Sequence, residues 1–333
     1  MDDWRDLLPG DTLSWLLERG NPSARYWALR EVLERPADDA EVQEAQAAIA
    51  AFGPVRRILE AQYPQGYWVH PGVGYSPKYR ATGWQLIFLA ALGLPRCQAI
   101  ERACDYVLAH SRLPDGRFTA HKDELGAILC LNGNLLRALA WFGYGGHPLV
   151  LESYAALVEQ MARDRFRCRC NAPAPRPRRM DAGQPCAWGA IKALGALLAL
   201  SPAARTPEMV EALEMGLGFL LEYDLARGAY PASEGISPLW HKLGFPLGYT
   251  SDILEALDVL ARAGRGHEPG LEMAWGIVLA KRDEDGRWPL EYTPGRMWSS
   301  LGALGRPSKW VTLRVLRARN CLRGPVPGLP HSA

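Results

Sequence analysis

Nowhere in the sequence do eighteen apolar residues follow one another, and a stretch such as "IKALGALLALS" is too short to cross a bilayer. The opening "MDDWRDLLPG" is acidic and lacks the apolar core of a secretory signal, so export is not expected. A large charge of either sign is missing too. The net charge is +2, which excludes nucleic acid as a bulk electrostatic partner. No segment competes with a helical reading by alternating in the manner of a strand. The seven cysteines form an odd number in a chain without an export signal, which suits reduced thiols and a cytoplasmic location.

Apolar material is plentiful instead, at 48% of residues, and twelve tryptophans exceed what core filling requires. A length of 333 residues predicts either two domains or one large closed architecture. A repeat decides between them. "QYPQGYW" sets Gln62, Gly66 and Trp68 in the pattern Q-x3-G-x-W. Looser copies end at Phe118, Phe166, Tyr230 and Trp288, at the spacing of one helix pair per repeat. Each copy reads as a helix end, a turn and an aromatic packed back on its neighbour; in most, a glycine can take positive φ at the turn.

Two kinds of helix lie between these marks. "QAIERACDYVLAH", "PLVLESYAALVEQMA" and similar segments keep one polar face. "SARYWALREVLE", "GWQLIFLAALG", "LGAILCLNGNLLRALAWFG", "CAWGAIKALGALLALS", "TSDILEALDVLARAG" and "WVTLRVLRA" are apolar almost all round and should be buried on every side. The expectation is an all-α, single (α/α)6 barrel of six inner and six outer helices. It spans 1–333 as one domain, with 1–20 a closing segment and 321–333 a flexible tail.

With the Q-x3-G-x-W mark and the alternating helices, the chain resembles the α/α-toroid superfamily of squalene/hopene cyclases and protein prenyltransferase β subunits. The resemblance implies a toroid that binds an isoprenoid or another hydrophobic small molecule. The D-x-D-D acid of the cyclases is missing: "MDDW", "ADDA" and "RDEDG" are the nearest pairs. The prenyltransferases work with a partner subunit, so a protein partner stays open. They hold zinc through an aspartate and cysteine at one inner helix and a histidine at the next. Here Cys186 opens an inner helix with Asp181 upstream, whereas Tyr249, Thr250 and Asp252 stand where the histidine would lie, and His241 is displaced.

The cysteines admit three readings. Cys186 in a first helical turn feels the positive end of the helix dipole, which favours thiolate. Cys168 and Cys170 approach it on a loop, and Cys130 sits in the preceding inner helix. Four sulfurs could hold tetrahedral Zn2+ at about 2.3 Å per bond. Alternatively Cys130 and Cys186 fill the core while the loop thiols are solvated, or two of the thiols form a redox disulfide.

Parallel inner helices would point one set of ends at a common mouth. The expected ligand-lining aromatics are Trp84, Trp188, Tyr249 and Trp310, with Trp240 and Trp298 on covering loops. Such rings suit an apolar or carbocationic ligand, each worth about 0.5–2 kcal/mol to a cation; they can equally knit repeats together. Asp252, His241 and Tyr249 are the catalytic candidates, Asp252 being an acid or a helix cap. Arg306 and Lys309, before the last inner helix, could bind an anion, as could the seven arginines of 163–179. The rival to an enzyme is a non-catalytic toroid with a structural zinc.

Overall fold

The computed structural model describes residues 4–8, 11–232 and 235–323. Its inner ring is built from α2 (Pro22–Trp27), α5 (Thr82–Ala91), α7 (Leu129–Trp141), α9 (Ala187–Leu197), α11 (Ile253–Arg262) and α13 (Lys309–Asn320). The outer sheath comprises α1 (Thr12–Leu16), α3 (Ala40–Ala48), α4 (Gly53–Glu60), α6 (Gln98–His110), α8 (Pro148–Asp164), α10 (Pro207–Leu221) and α12 (Leu271–Leu279). From α5 to α13 each inner helix packs on the next, Trp27 of α2 donates to the Ala91 carbonyl of α5 at 3.1 Å, and α13 returns to α2 and its π-helical continuation Ala28–Val32, closing the ring. This is the all-α toroid expected from the alternation of apolar and amphipathic segments.

The repeat has a physical explanation. The indole N–H groups of Trp68 and Trp288 donate to the carbonyls of Ile58 and Val278, at 2.7 and 2.8 Å. The Tyr230 hydroxyl donates in the same way to Leu220 at 2.8 Å. The acceptor always stands ten residues upstream, in the outer helix that has just ended. Meanwhile the backbone N–H of the aromatic donates forward to the next inner helix: Trp68 to Thr82, Phe118 to Asn132 and Trp288 to Thr312. One aromatic thus ties the outer helix behind it to the inner helix ahead, satisfying polar groups that burial would otherwise leave unpaired. The turn needs glycine. Gly66 has φ +94°, and a Cβ there would lie 2.3 Å from the Arg102 carbonyl oxygen.

Two segments depart from the pattern read in the sequence. "AEVQEAQAAIAAFGPVRRILE" reads as one helix but breaks at Phe52, whose extended backbone precedes Gly53-Pro54. Proline offers no N–H to the preceding turn, so the helix restarts. A short antiparallel pairing also joins Arg167–Cys168 to Gln184–Pro185 and staples the cysteine loop at its base.

The start of the chain seals the ring. Arg282 donates to the Leu7 carbonyl at 2.8 Å, Arg287 to Asp11 at 2.8 Å, and Lys309 to Glu18 at 2.6 Å. Of the tail, Cys321–Arg323 form a 3-10 turn; 324–333 lie outside the described residues.

The two poles of the barrel differ. Connections after the inner helices are short: 33–39, 92–97, 142–147, 198–206 and 263–270. Connections leading into them are long: 61–81, 111–128, 165–186, 222–252 and 280–308. The long loops gather over the N-terminal ends of the inner helices, the usual arrangement when loops carry function and helices hold them in position.

Candidate functional site

The cysteines meet at this N-terminal rim. Cys130 is the second residue of α7 and Cys186 the N-cap of α9, on adjacent inner helices. Cys168 and Cys170 stand on the stapled loop, whose Phe166 carbonyl accepts from the Cys186 N–H at 2.9 Å. The four thiols lie near enough to influence one another's ionisation. Cys168 hydrogen-bonds Cys170 and, with Arg169, Arg176 and Lys78 nearby, pulls that thiol down to about 6. The same hydrogen bond, with burial, pushes the Cys168 thiol up. Burial carries Cys130 up to about 12, with Cys186 adding to it. Cys186 itself is raised, because burial outweighs the N–H groups of Gly189 and Trp188 at the start of α9. The thiolate is therefore favoured at Cys170 rather than at Cys186. Desolvation beats the helix dipole at one; at the other the Cys168 hydrogen bond, helped by three nearby cations, beats desolvation.

The donor chemistry suits zinc, but among the described residues no three His, Cys, Asp or Glu side chains are grouped to hold a metal ion. Asp181 pairs with Arg179 at 3.1 Å on the surface.

Aromatic rings stand beside the thiols. Tyr79 stacks on Tyr249 with centroids 6.3 Å apart and planes 6° from parallel, and meets Trp84 edge-on at 5.1 Å. Trp188 meets Tyr249 at 6.1 Å, and the Lys78 ammonium sits 4.3 Å above the Tyr249 ring. Tyr79, Trp188 and Tyr249 remain partly exposed, while Trp84 is buried with its indole N–H on the Tyr75 carbonyl at 2.7 Å. Trp298 flanks this group, donating to the Arg80 carbonyl at 3.1 Å under the Arg80 guanidinium.

The other expected residues lie elsewhere. Trp240 is fully buried between repeats, its N–H on the Leu225 carbonyl at 2.9 Å. The His241 Nε2 contacts the Ala226 carbonyl at 2.7 Å. Lys309 is engaged by Glu18 and the Trp15 carbonyl, and Arg306 is exposed. Trp310 stacks on Phe245 at 4.5 Å and faces the barrel axis.

Asp252 is the N-cap of α11, accepting from the Glu255 N–H at 2.8 Å and the Gly244 N–H at 3.0 Å. Both of its oxygens also receive the Arg314 guanidinium, at 2.7 and 2.8 Å. A carboxylate that accepts from four donors is fixed in place as a helix cap and ion-pair partner, with no oxygen left turned toward a ligand.

That pair belongs to an ionic network which the sequence reading missed. Lys192 of α9 donates to both oxygens of Glu255 of α11, at 2.7 and 2.6 Å, with both side chains buried. Burial lowers the lysine's pKa, and Glu255 opposes the shift. Arg317 joins Asp258 at 3.0 Å and Glu31 at 3.1 Å. For Arg314 and Arg317, desolvation works against the charge, but their carboxylates outweigh it and raise both. The network borders an axial cavity of about 170 Å³ whose walls include Trp27, Trp141, Phe245 and Trp310. A signal was available. Lys192, Glu255, Asp258, Arg314 and Arg317 punctuate helices that are otherwise apolar all round, and a charge buried that deeply requires a partner on the next helix.

No protein-family model matches the chain, and no curated protein matches it in sequence. Solved structures do. An unsaturated glucuronyl hydrolase specific for heparin is 13% identical over 91% of this chain and 85% of its own, with a TM-score of 0.46. The type II terpene cyclase MstE from Scytonema, without ligand, is 13% identical over 82% of this chain and 96% of its own, with a TM-score of 0.31. A variant of that cyclase in complex with geranylgeranyl dihydroxybenzoate covers 85% of this chain and 97% of its own at 12% identity and a TM-score of 0.32.

Proposed function

We propose that the chain is a ligand-binding toroid of the enzyme type whose working face is the N-terminal rim. A hydrophobic small molecule there meets the half-open rings of Tyr79, Trp188 and Tyr249, and an isoprenoid is the class suggested by the resemblance to terpene cyclases and prenyltransferases. The observation that carries the reading is the coincidence of three features at one pole: long loops, partly exposed aromatic faces and a thiolate-prone Cys170 among three further thiols.

Zinc is the ion that this donor set would hold. Cys130, Cys168, Cys170 and Cys186 are its proposed ligands, and bound zinc would act as a Lewis acid or as a clamp. Among the described residues these thiols are not grouped to hold an ion. The protein's own part is to favour the Cys170 thiolate through the Cys168 hydrogen bond and then Arg169, Arg176 and Lys78, and to hold the aromatic faces beside it. Reduced thiols of this kind fit a reducing compartment such as the cytoplasm. Among the described residues no helix is long and apolar enough to cross a membrane.

One observation favours a second reading, a non-catalytic toroid with a structural zinc. The acid–base candidates are engaged: Asp252 by Arg314 and two backbone N–H groups, His241 by the Ala226 carbonyl. Incubation of the purified protein with labelled prenyl diphosphates and squalene separates the two readings. Saturable binding or turnover that Trp188→Ala weakens supports the first; neither binding nor turnover leaves the scaffold.

A further inference from the structure

The axial cavity is separate from the rim and asks for a different ligand. Its charges are nearly but not wholly balanced. Arg137, Lys192, Arg262, Arg314 and Arg317 line it, and the carboxylates lining it or bound to these cations are Glu31, Asp252, Glu255 and Asp258. Arg314 is matched by Asp252, Arg317 by Asp258 and Glu31, and Lys192 by Glu255. Arg262 lacks a carboxylate partner but donates to the Leu198 carbonyl at 3.1 Å, whereas Arg137 is not matched. Its nearest carboxylate is Glu255 at 3.8 Å, beyond hydrogen-bonding distance, and that carboxylate already accepts twice from Lys192.

Arg137 nonetheless points inward. It belongs to the stripe Asn134, Arg137, Ala138 and Trp141 by which α7 lines the cavity. Its side chain is 37% exposed although it stands between inner helices, so the open surface faces the cavity. Burial and the neighbouring Arg262 and Arg317 disfavour its charge and lower its pKa, which an arriving anion would relieve. Beside it the Trp27 and Trp141 rings meet at 4.8 Å, their N–H groups already bound to the carbonyls of Ala91 and Leu94. The wall next to the guanidinium is therefore apolar, two rings inclined at 47° whose N–H groups are already used.

We infer that the axial cavity is a binding site for a small monocarboxylate with a compact apolar body, its carboxylate on Arg137 and its body against Trp27 and Trp141. One surplus positive charge matches one negative charge, and a planar guanidinium suits a carboxylate through two parallel hydrogen bonds. An apolar cavity of about 150 Å³ accepts benzene, so this one suits a ring of that size bearing a carboxylate. The inference goes beyond the rim reading and does not depend on it.

The test is titration calorimetry of the full chain with benzoate, cyclohexanecarboxylate, benzamide and inorganic phosphate, alongside tryptophan fluorescence. Saturable binding of the carboxylates is expected, with quenching, and Arg137→Met should weaken it about tenfold or more. Ala90→Leu, which fills the cavity from α5, should abolish it; this variant keeps the test decisive if Arg137→Met does not fold. Cys186→Ser should bind benzoate as the native chain does, so a failure of the rim site would be seen separately. Three results would overturn the assignment: no saturable carboxylate binding below about 10 mM, benzamide binding as tightly as benzoate, or Arg137-dependent binding of phosphate alone.

Discussion

At the rim, soft donors and ring faces are left partly open among loops; along the axis, hard charges are buried and nearly all matched. Cys170 is exposed and held toward thiolate by the Cys168 hydrogen bond and by nearby cations. Lys192 and Glu255, by contrast, are out of water and bound to each other twice. The difference teaches where stability and reactivity reside. A buried ion pair tolerates the loss of neither partner, so the axis is held by interdependence. A rim thiol can change protonation, ligand or oxidation state without unsealing the ring.

The comparison is broken most forcefully at the axis. Glu255→Leu strands Lys192 and should cost about 3–5 kcal/mol in urea unfolding. The double variant Lys192→Met with Glu255→Leu removes both charges and should recover most of that loss, since replacing a whole buried pair by apolar residues of similar size is often neutral. A double variant as unstable as the single one would mean that the network is stabilised by more than mutual neutralisation.

Next in size is the repeat turn, which joins the two regions. Trp288→Phe leaves the Val278 carbonyl without its indole donor and should lower stability by about 1–3 kcal/mol in thermal unfolding. At the rim the expected effect is on reactivity. In protein stripped of metal, Cys170 should be alkylated by iodoacetamide with a midpoint near pH 6, and Cys168→Ala should move that midpoint up toward an ordinary thiol. The sign for stability follows from the same shift. A thiol depressed in the folded chain contributes its full stabilisation above its unfolded value, near 9, and loses it as the pH falls through about 6. Smallest of all, Arg179→Ala should leave the unfolding midpoint unchanged, because its pair with Asp181 is open to solvent.

The ring of helices was legible because it depends on periodicity. Six segments without a polar face could only be buried, and the Q-x3-G-x-W mark told where each turn lay. That Cys130 and Cys186 share one pole was legible for the same reason: parallel inner helices present their first turns to one side. Which thiol ionises was not legible, because it depends on burial, on the Cys168 hydrogen bond and on Arg176 and Lys78, which only the folded loop brings near. The axial network escaped because pairing between helices has no sequence spacing. Lys192 and Glu255 stand 63 residues apart, and only the closed ring makes them neighbours. Trp240 and Trp310 show the same limit, since tryptophans with similar flanks went to a repeat seam and to the axis.

Whether the rim is a metal centre is answered most directly by zinc-edge X-ray absorption on protein purified without chelator. The account predicts a zinc signal with a sulfur shell at about 2.3 Å, lost in Cys186→Ser while the chain stays folded. Four sulfurs would indicate a closed structural site; three with one lighter atom would indicate an open position. Absence of zinc from the native protein, or a first shell of nitrogen and oxygen alone, would contradict it.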